Sequence, residues 1–389
     1  MERSWEELRE LPLIDWTPQQ QLQPPVTEVE RAAVPAIDIH NHLGRWLTDD
    51  GDWMIDDVAA LVATMDAANV EAVVNLDGMW GDEVTANVER YDRAYPGRFF
   101  TFCQLDWKLL EGSHGGGGDG VGAVAGAGAG VGAGADGSPA ASDPLADPVV
   151  QQLIASLDDS AARGARGVKV WKSLGLTFRD ADGVLVQPDD PRVIAVLRHA
   201  GELGLPVLIH TADPKAFFAP LDERNERLDE LLVMKEWWFG DAAVYPTFDQ
   251  LLASHAALVA ACPGTRFIGA HFGCAAEDLD LVERMLAASP NYTVDIAGRM
   301  AELGRQPRRL RVLLDRFGDR VHFGTDIYPA TLEQYRLHFR FLETLDEAFT
   351  YAPDADIPPQ GRWTVSALGL PPELLERIYR GNARRVLGL

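Results

Sequence analysis

Eight short runs of β-branched and aromatic residues alternate with longer amphipathic segments along this chain, and few folds accept that order. The runs are Ala36–His40, Glu71–Leu76, Phe99–Leu105, Gly167–Lys172, Pro206–His210, Arg266–His271, Tyr292–Ile296 and Arg320–Thr325. Helical periodicity covers Asp56–Ala68, Glu83–Ala94, Pro148–Arg163, Pro191–Leu203, Phe248–Ala261, Asp278–Ala288, Arg308–Phe317 and Leu332–Ala348. Strand–helix alternation at this spacing makes βα units and a parallel sheet. Eight units suit an α/β fold of the closed (β/α)8 TIM-barrel type better than an open sheet. With 389 residues, 47% of them hydrophobic, the chain has material for one such barrel with insertions.

The expected organisation is a leader over residues 1–34, rich in Gln, Glu and Pro, and a single barrel domain over 35–389. Two insertions interrupt the repeat. Residues 112–137 are half glycine, mostly with Ala or Val between, and cannot bury enough side chain to offset their ordering entropy. A disordered Gly/Ala-rich insertion is therefore expected across 111–147. Inside it, Gly120-Val121-Gly122-Ala123-Val124-Ala125 matches a dinucleotide fingerprint in letters only, because no strand precedes it and no helix opens after it. The second insertion, 214–240, follows the fifth strand and carries Phe217, Phe218, Trp237 and Trp238 around a charged run. Long βα loops of this kind form lids.

A formal charge of −24 argues against a nucleic-acid or anionic-membrane surface, since either needs clustered Lys and Arg. No apolar stretch approaches the ~18 residues of a membrane span, and the N-terminus lacks the apolar core of a signal peptide. Three cysteines without paired spacing read as reduced thiols of a cytoplasmic protein. A small-molecule substrate is the expected partner, and a homodimer is the commonest default.

A barrel collects its chemistry at the C-terminal ends of its strands. Four histidines and an aspartate fall there: His40, His42, His210, His271 and Asp326. Period two places His40 and His42 on one strand face with Asn41 turned away, so both imidazoles can share a metal.

Asp38-Ile39-His40-Asn41-His42, the His ending Leu205-Pro206-Val207-Leu208-Ile209-His210, Gly269-Ala270-His271-Phe272-Gly273 and Phe323-Gly324-Thr325-Asp326 together resemble the amidohydrolase superfamily. Within it the chain looks most like the amidohydrolase-related branch that includes aminocarboxymuconate-semialdehyde decarboxylase. The tail Ile378 to Leu389 resembles that branch too, and Asn382 there is expected to cap a helix. The resemblance spans residue 35 to the end, apart from the glycine-rich insertion. It implies that His40, His42 and His210 bind one divalent metal, with Asp326 as a further ligand and proton acceptor. It also implies that His271 orients a nucleophilic water or polarises a substrate carbonyl. Imidazoles and a carboxylate suit Zn²⁺, which lowers the pKa of bound water toward ~7.

Lys169 and Lys172 bear on the metal count. Members with two metals bridge them through a carbamylated Lys on the fourth strand. Alternation points Lys169 inward, as a bridging carbamate, an electrostatic or substrate contact, or a structural group. Lys172, nearer the mouth, is a substrate-contact candidate. Arg299 stands where a substrate carboxylate or phosphate could be held, or is a solvated helix-start residue. Arg45 and Trp46 follow the His pair and are candidates to line the mouth, as are Phe218 and Trp238 from the lid. His322 reads as a packed strand residue.

The leading expectation is a metal-dependent hydrolase in which activated water attacks an amide, ester or lactone, with His271 and Asp326 managing proton and charge. The alternative is a metal-dependent non-oxidative decarboxylase of an unsaturated or aromatic acid. A catalytically silent barrel that binds a metal or ligand is the third. An Arg or Lys clamp near the metal separates the second from the first.

Overall fold

The computed structural model describes residues 3–111 and 143–389. Its strands are β1 Ala36–Asn41, β2 Val70–Asn75, β3 Phe99–Thr101, β4 Val168–Val170, β5 Val207–Ile209, β6 Phe267–Gly269, β7 Tyr292–Asp295 and β8 Val321–His322. All neighbouring pairs are parallel. Regular ladders run β1-β2-β3 and β4-β5-β6-β7-β8, and two seams close them into a ring. At the first, the Cys103 amide donates to Gly167 O at 2.9 Å and the Lys169 amide to Cys103 O at 2.7 Å. At the second, the Ile39 amide donates to Phe323 O at 3.0 Å and the Asp326 amide to His40 O at 2.9 Å. Closure removes the sheet edges, and the fold is the α/β TIM barrel expected.

Apolar residues divide between two clusters. The larger fills the space between strands and surrounding helices. The smaller holds Ile37, Ile39, Val74, Leu76, Phe102, Leu208 and Ile268 with Ala383, Val386 and Leu387. The C-terminal helix Asn382–Leu387 thus packs against the barrel interior. Asn382 does not cap that helix. Its own backbone is helical, because a π-turn over Arg377–Gly381 carries the preceding helix into it. Its Nδ2 instead donates to Gly318 O at 2.8 Å and Val321 O at 2.7 Å, satisfying carbonyls at the start of β8.

Helices Pro148–Arg163 and Phe248–Ala261 have the expected bounds. The last expected helix, Leu332–Ala348, stops at Glu343. Asp346 is drawn aside there, accepting from the Thr27 amide at 2.8 Å, Thr27 Oγ1 at 2.7 Å and Arg340 Nε at 2.7 Å. The same contacts fasten the leader to the barrel, helped by Gln20 Nε2 donating to Ala348 O at 2.9 Å. Of the expected insertion over 111–147, residues 112–142 lie outside the described residues. At its far side Pro144–Ala146 form a 3-10 turn leading into Pro148. The 214–240 segment carries 3-10 turns at Lys215–Phe218 and Lys235–Trp237 around a helix, Leu228–Val233. Among the described residues no helix is long and apolar enough to cross a membrane.

Candidate metal centre

Alternation alone does not bring the β1 histidines together. Asp38 pairs with Val73 and Asn41 with Asn75, three steps on β1 against two on β2. This extra residue is a bulge, a device that re-aims side chains beside sites. Ile37 and Ile39 belong to the inner cluster, yet His40, next in sequence, also faces the buried amine of Lys169, with Nε2 3.3 Å from Nζ. Asp38 anchors the bent strand from behind. It accepts from the Thr325 amide at 3.0 Å, Thr325 Oγ1 at 2.6 Å and Tyr335 OH at 3.2 Å. Burial lifts its pKa to about 6.

Each β1 imidazole is held at Nδ1 by a buried carboxylate. His40 Nδ1 lies 2.9 Å from Asp295 Oδ2, and His42 Nδ1 lies 2.6 Å from Asp77 Oδ1. With those nitrogens donating, both Nε2 atoms keep a lone pair. These face one oxygen, Asp326 Oδ1, at 3.7 Å from His40 and 3.4 Å from His42. His40, His42 and Asp326 therefore offer donor atoms within 4.8 Å of one another, a spacing one ion can span. A second trio, His40, His271 and Asp295, meets the same distance test. That trio is a hydrogen-bonded unit, since Asp295 accepts from His40 Nδ1 and, at 2.8 Å, from the His271 amide.

Strand β6 ends two residues before His271, not on it as expected. His271 and Phe272 adopt left-handed φ of 57° and 59°. Gly269 has no room for a side chain, since a Cβ there would stand 2.0 Å from the Tyr292 hydroxyl. The chain leaves the ladder after Gly269, and the turn swings the imidazole over the barrel. His271 Nδ1 donates to Ala297 O at 2.9 Å, which leaves Nε2 as an acceptor 3.9 Å from Asp326 Oδ2. Burial drives its pKa well below the usual imidazole range, so it is neutral at pH 7. Asp326 itself lies just past β8 with a left-handed φ of 57°. Burial raises its pKa, against the opposing charges of Lys169 and Arg299.

His210 packs against His271 with ring centroids 4.4 Å apart. Its Nε2 lies 3.2 Å from Asp213 Oδ1, while Nδ1 is buried without a partner. It stands outside the close trio. The residues nonetheless fit a divalent ion, because three donor atoms converge and a third imidazole nitrogen, His210 Nδ1, is buried nearby with nothing to bind. Lys169 is inside the barrel, as alternation required. Burial lowers its pKa to about 8, opposed by the carboxylates of Asp326, Asp295 and Asp77.

The mouth candidates separate by their partners. Arg45 is spent on Glu83, with Nε 3.0 Å from Oε1. Lys172 pairs with Asp213 and lies 5.2 Å from the Trp237 ring centre and 5.6 Å from that of Phe239. Phe218 packs against Phe239 and Phe248, and Trp238 Nε1 donates to Ala219 O at 2.9 Å. Trp46 stacks edge-on to Trp171 at 4.6 Å, and Trp171 lies 5.1 Å from the His42 ring. Arg299 differs from all of these. It is only 7% exposed, its Nη1 donates to Gly298 O at 2.8 Å, and among the described residues it forms no salt bridge. Its charge acts on both His271 and Asp326.

Asp77, Asp213 and Trp171 were not singled out from the sequence for a role at the site. Asp77 and Asp213 follow the ends of β2 and β5 by two and four residues, so an acid just past a barrel strand was the available signal. His322 is fully buried, as a packed strand residue should be.

Solved structures share the fold at low identity. A dihydroxybenzoic acid decarboxylase from a Polaromonas species, with bound manganese and the inhibitor 2-nitroresorcinol, has a TM-score of 0.53 at 12% identity, covering 92% of this chain and 97% of that one. A 2,6-dihydroxybenzoate decarboxylase from Rhizobium has a TM-score of 0.51 at 15% identity, covering 91% and 99%. An uncharacterised TIM-barrel protein from Bordetella bronchiseptica has a TM-score of 0.52 at 13% identity, covering 91% and 99%. No match is found among curated proteins. The amidohydrolase family profile matches residues 124–389, a span that holds His210, His271 and Asp326 and begins after the β1 pair. With more than half of its length matched on that profile, the chain belongs to the amidohydrolase family.

Proposed function

We propose that this metal-dependent enzyme of the amidohydrolase family is a carboxy-lyase that removes CO₂ from an unsaturated or aromatic acid. The observation that carries the reading is Arg299, a buried guanidinium without a carboxylate partner among the described residues, acting on His271 and Asp326. An unpaired buried charge is costly unless a ligand supplies its counter-charge. A substrate carboxylate does so in bidentate geometry, and a neutral amide, ester or lactone does not.

His40, His42 and Asp326 would hold the ion, with His210 as a fourth ligand through Nδ1. The imidazole–carboxylate set suits Zn²⁺ or Mn²⁺. A bound divalent ion supplies Lewis acidity toward a substrate oxygen. The chain's own groups do the rest. Arg299 seats the carboxylate, and the aromatic edges of Trp46 and Trp171 border the ring of the acid. The bond from ring carbon to carboxyl carbon breaks, its electron pair stays on the ring carbon, and CO₂ leaves. Asp326, with Oδ1 toward the β1 histidines and Oδ2 toward His271, carries a proton to that carbon. His271 Nε2, neutral and facing inward, accepts a hydrogen bond from a ring hydroxyl. That two solved structures of similar fold are dihydroxybenzoate decarboxylases guides the choice of compounds to assay.

Hydrolysis is the second reading, favoured by the 3.9 Å separation of His271 Nε2 and Asp326 Oδ2, which places two proton acceptors around one water position. The deciding experiment incubates metal-loaded enzyme with hydroxybenzoates, unsaturated dicarboxylates, lactones and amides, and follows CO₂ release beside acid release. CO₂ from the acids supports the carboxy-lyase. Acid released from lactones or amides with no CO₂ from any acid refutes it.

A further inference from the structure

We infer that Asp77 is a positioning residue that ties the metal-facing edge of His42 to the aromatic wall of the mouth. The inference rests on the reading of His42 as a metal ligand. Asp77 is 1% exposed at the mouth end of β2. Its Oδ1 accepts from His42 Nδ1 at 2.6 Å and from Trp46 Nε1 at 2.6 Å, and its Oδ2 accepts from the Gly44 amide at 3.1 Å. One carboxylate therefore takes three donors, two of them on one oxygen.

The chain is shaped to allow this. A Cβ at Gly44 would stand 2.5 Å from Asp77 Cβ, so only glycine lets the β1 loop close over the acid. The Asp77 amide is itself fixed, donating to Asn75 Oδ1 at 3.1 Å. That oxygen also takes the Leu43 amide at 3.2 Å, and Asn75 Nδ2 donates to Asn87 Oδ1 at 2.9 Å. Asp77 is thus held rigidly before it holds anything else.

Two consequences follow for the site. Accepting from Nδ1 selects the His42 tautomer whose Nε2 lone pair faces Asp326, 3.4 Å away. Accepting from Trp46 on the same oxygen fixes the indole edge-on to Trp171, which packs against the His42 ring. Asp295 serves His40 in the first respect. Its other oxygen is taken by the His271 and Ala297 amides, at 2.8 and 3.1 Å, so it has no link to the mouth. Asp77 therefore couples ligand geometry to ring placement, and Asp295 does not.

The test compares Asp77→Asn, Asp77→Ala, Trp46→Phe and His42→Ala in the full chain, with Zn²⁺ affinity measured by chelator competition and folding by thermal melting. Asparagine keeps one acceptor oxygen but loses the charge. Asp77→Asn should weaken Zn²⁺ binding roughly 10- to 100-fold, the usual effect of removing such an outer partner. Asp77→Ala should weaken it further, and the visible spectrum of the Co²⁺-substituted protein should change in both. Trp46→Phe leaves the His42 bond in place, so Zn²⁺ affinity should stay within about threefold, the scale of a ~0.6 kcal/mol change. A lower melting point in Asp77→Asn with Zn²⁺ affinity and the Co²⁺ spectrum unchanged overturns the inference. If His42→Ala also keeps its Zn²⁺ affinity, the ligand reading of His42 falls with it. Neither result depends on whether CO₂ is released, so the reaction is judged separately.

Discussion

Arg299 and Arg227 are neighbouring buried guanidiniums, and replacing each with Met should have opposite consequences. Arg227 is 1% exposed and pairs with Glu302 and with Glu230, the latter at 2.6 Å. Removing it leaves the buried carboxylate of Glu302 and the half-buried one of Glu230 uncompensated, at a cost of about 3–5 kcal/mol. At about 1–2 °C per kcal/mol in a chain of this size, melting falls by roughly 3–10 °C. Arg299 has no carboxylate partner among the described residues. Its loss breaks no ion pair among the described residues, so melting should stay within about 2 °C, or roughly 1 kcal/mol. Its effect should appear on binding. A hydrogen bond to a charged group contributes about 1.5–3 kcal/mol, which is roughly 10- to 150-fold in affinity or kcat/KM for a carboxylated substrate. The assay is thermal melting with and without a series of hydroxybenzoates, followed by kcat/KM for any acid that releases CO₂. Acids that stabilise the wild type should lose that effect in Arg299→Met and keep it in Arg299→Lys in part. The reasoning is refuted if Arg299→Met melts as low as Arg227→Met while still binding the acids at wild-type strength.

Gly269→Ala should destabilise by about 1–3 kcal/mol through overpacking against the Tyr292 hydroxyl, and Tyr292→Phe should recover part of that loss because the hydroxyl is buried without a partner. Strictly additive melting temperatures in the double variant would disprove the contact. Asp92 is half-buried and accepts from Thr101, and its desolvation lifts its pKa to about 6. A raised carboxylate binds its proton more tightly when folded, so its contribution is full below ~4 and is lost as pH rises through about 6. Denaturant titrations from pH 4 to 7 should show wild type losing up to about 3 kcal/mol relative to Asp92→Asn; parallel curves would contradict it. Stripping the metal with a chelator should abolish turnover and lower melting, and Zn²⁺ or Mn²⁺ should restore both. At a thousand times the dissociation constant, ligand linkage alone is worth about 4 kcal/mol. Unchanged turnover in metal-free protein would remove the ion from the reaction.

The barrel and its strand-terminal residues were readable in one dimension because both follow from local rules. Strand–helix alternation repeats at short range, and chemistry at the C-terminal strand ends is a property of the topology. The inward placement of Lys169 and the packing of His322 likewise came from period two alone. Positions set by contacts far apart in sequence were not readable. The bulge in β1 exists only against β2, and Gly269, which leads into the left-handed turn at His271, has no room for a side chain because Tyr292 occupies the space beside it. Asn382 looked like a cap because its neighbours suit one. The unsatisfied carbonyls of Gly318 and Val321, distant in sequence, claimed its side chain instead.

Electrostatic roles divided in the same way. The sequence placed Arg45, Lys172 and Arg299 near the mouth as equals, because a cation's identity says nothing about its partner. Tertiary structure gave Glu83 to Arg45 and Asp213 to Lys172, and gave Arg299 no carboxylate among the described residues. It also supplied the two carboxylates, Asp77 and Asp295, that turn the β1 lone pairs toward Asp326. By itself the sequence determined the fold, the family resemblance and the donor atoms, since these depend on residue type and spacing. Which donors converge, and which cation stays without a carboxylate among the described residues, were decided by the tertiary structure, because pairing is a matter of distance in space.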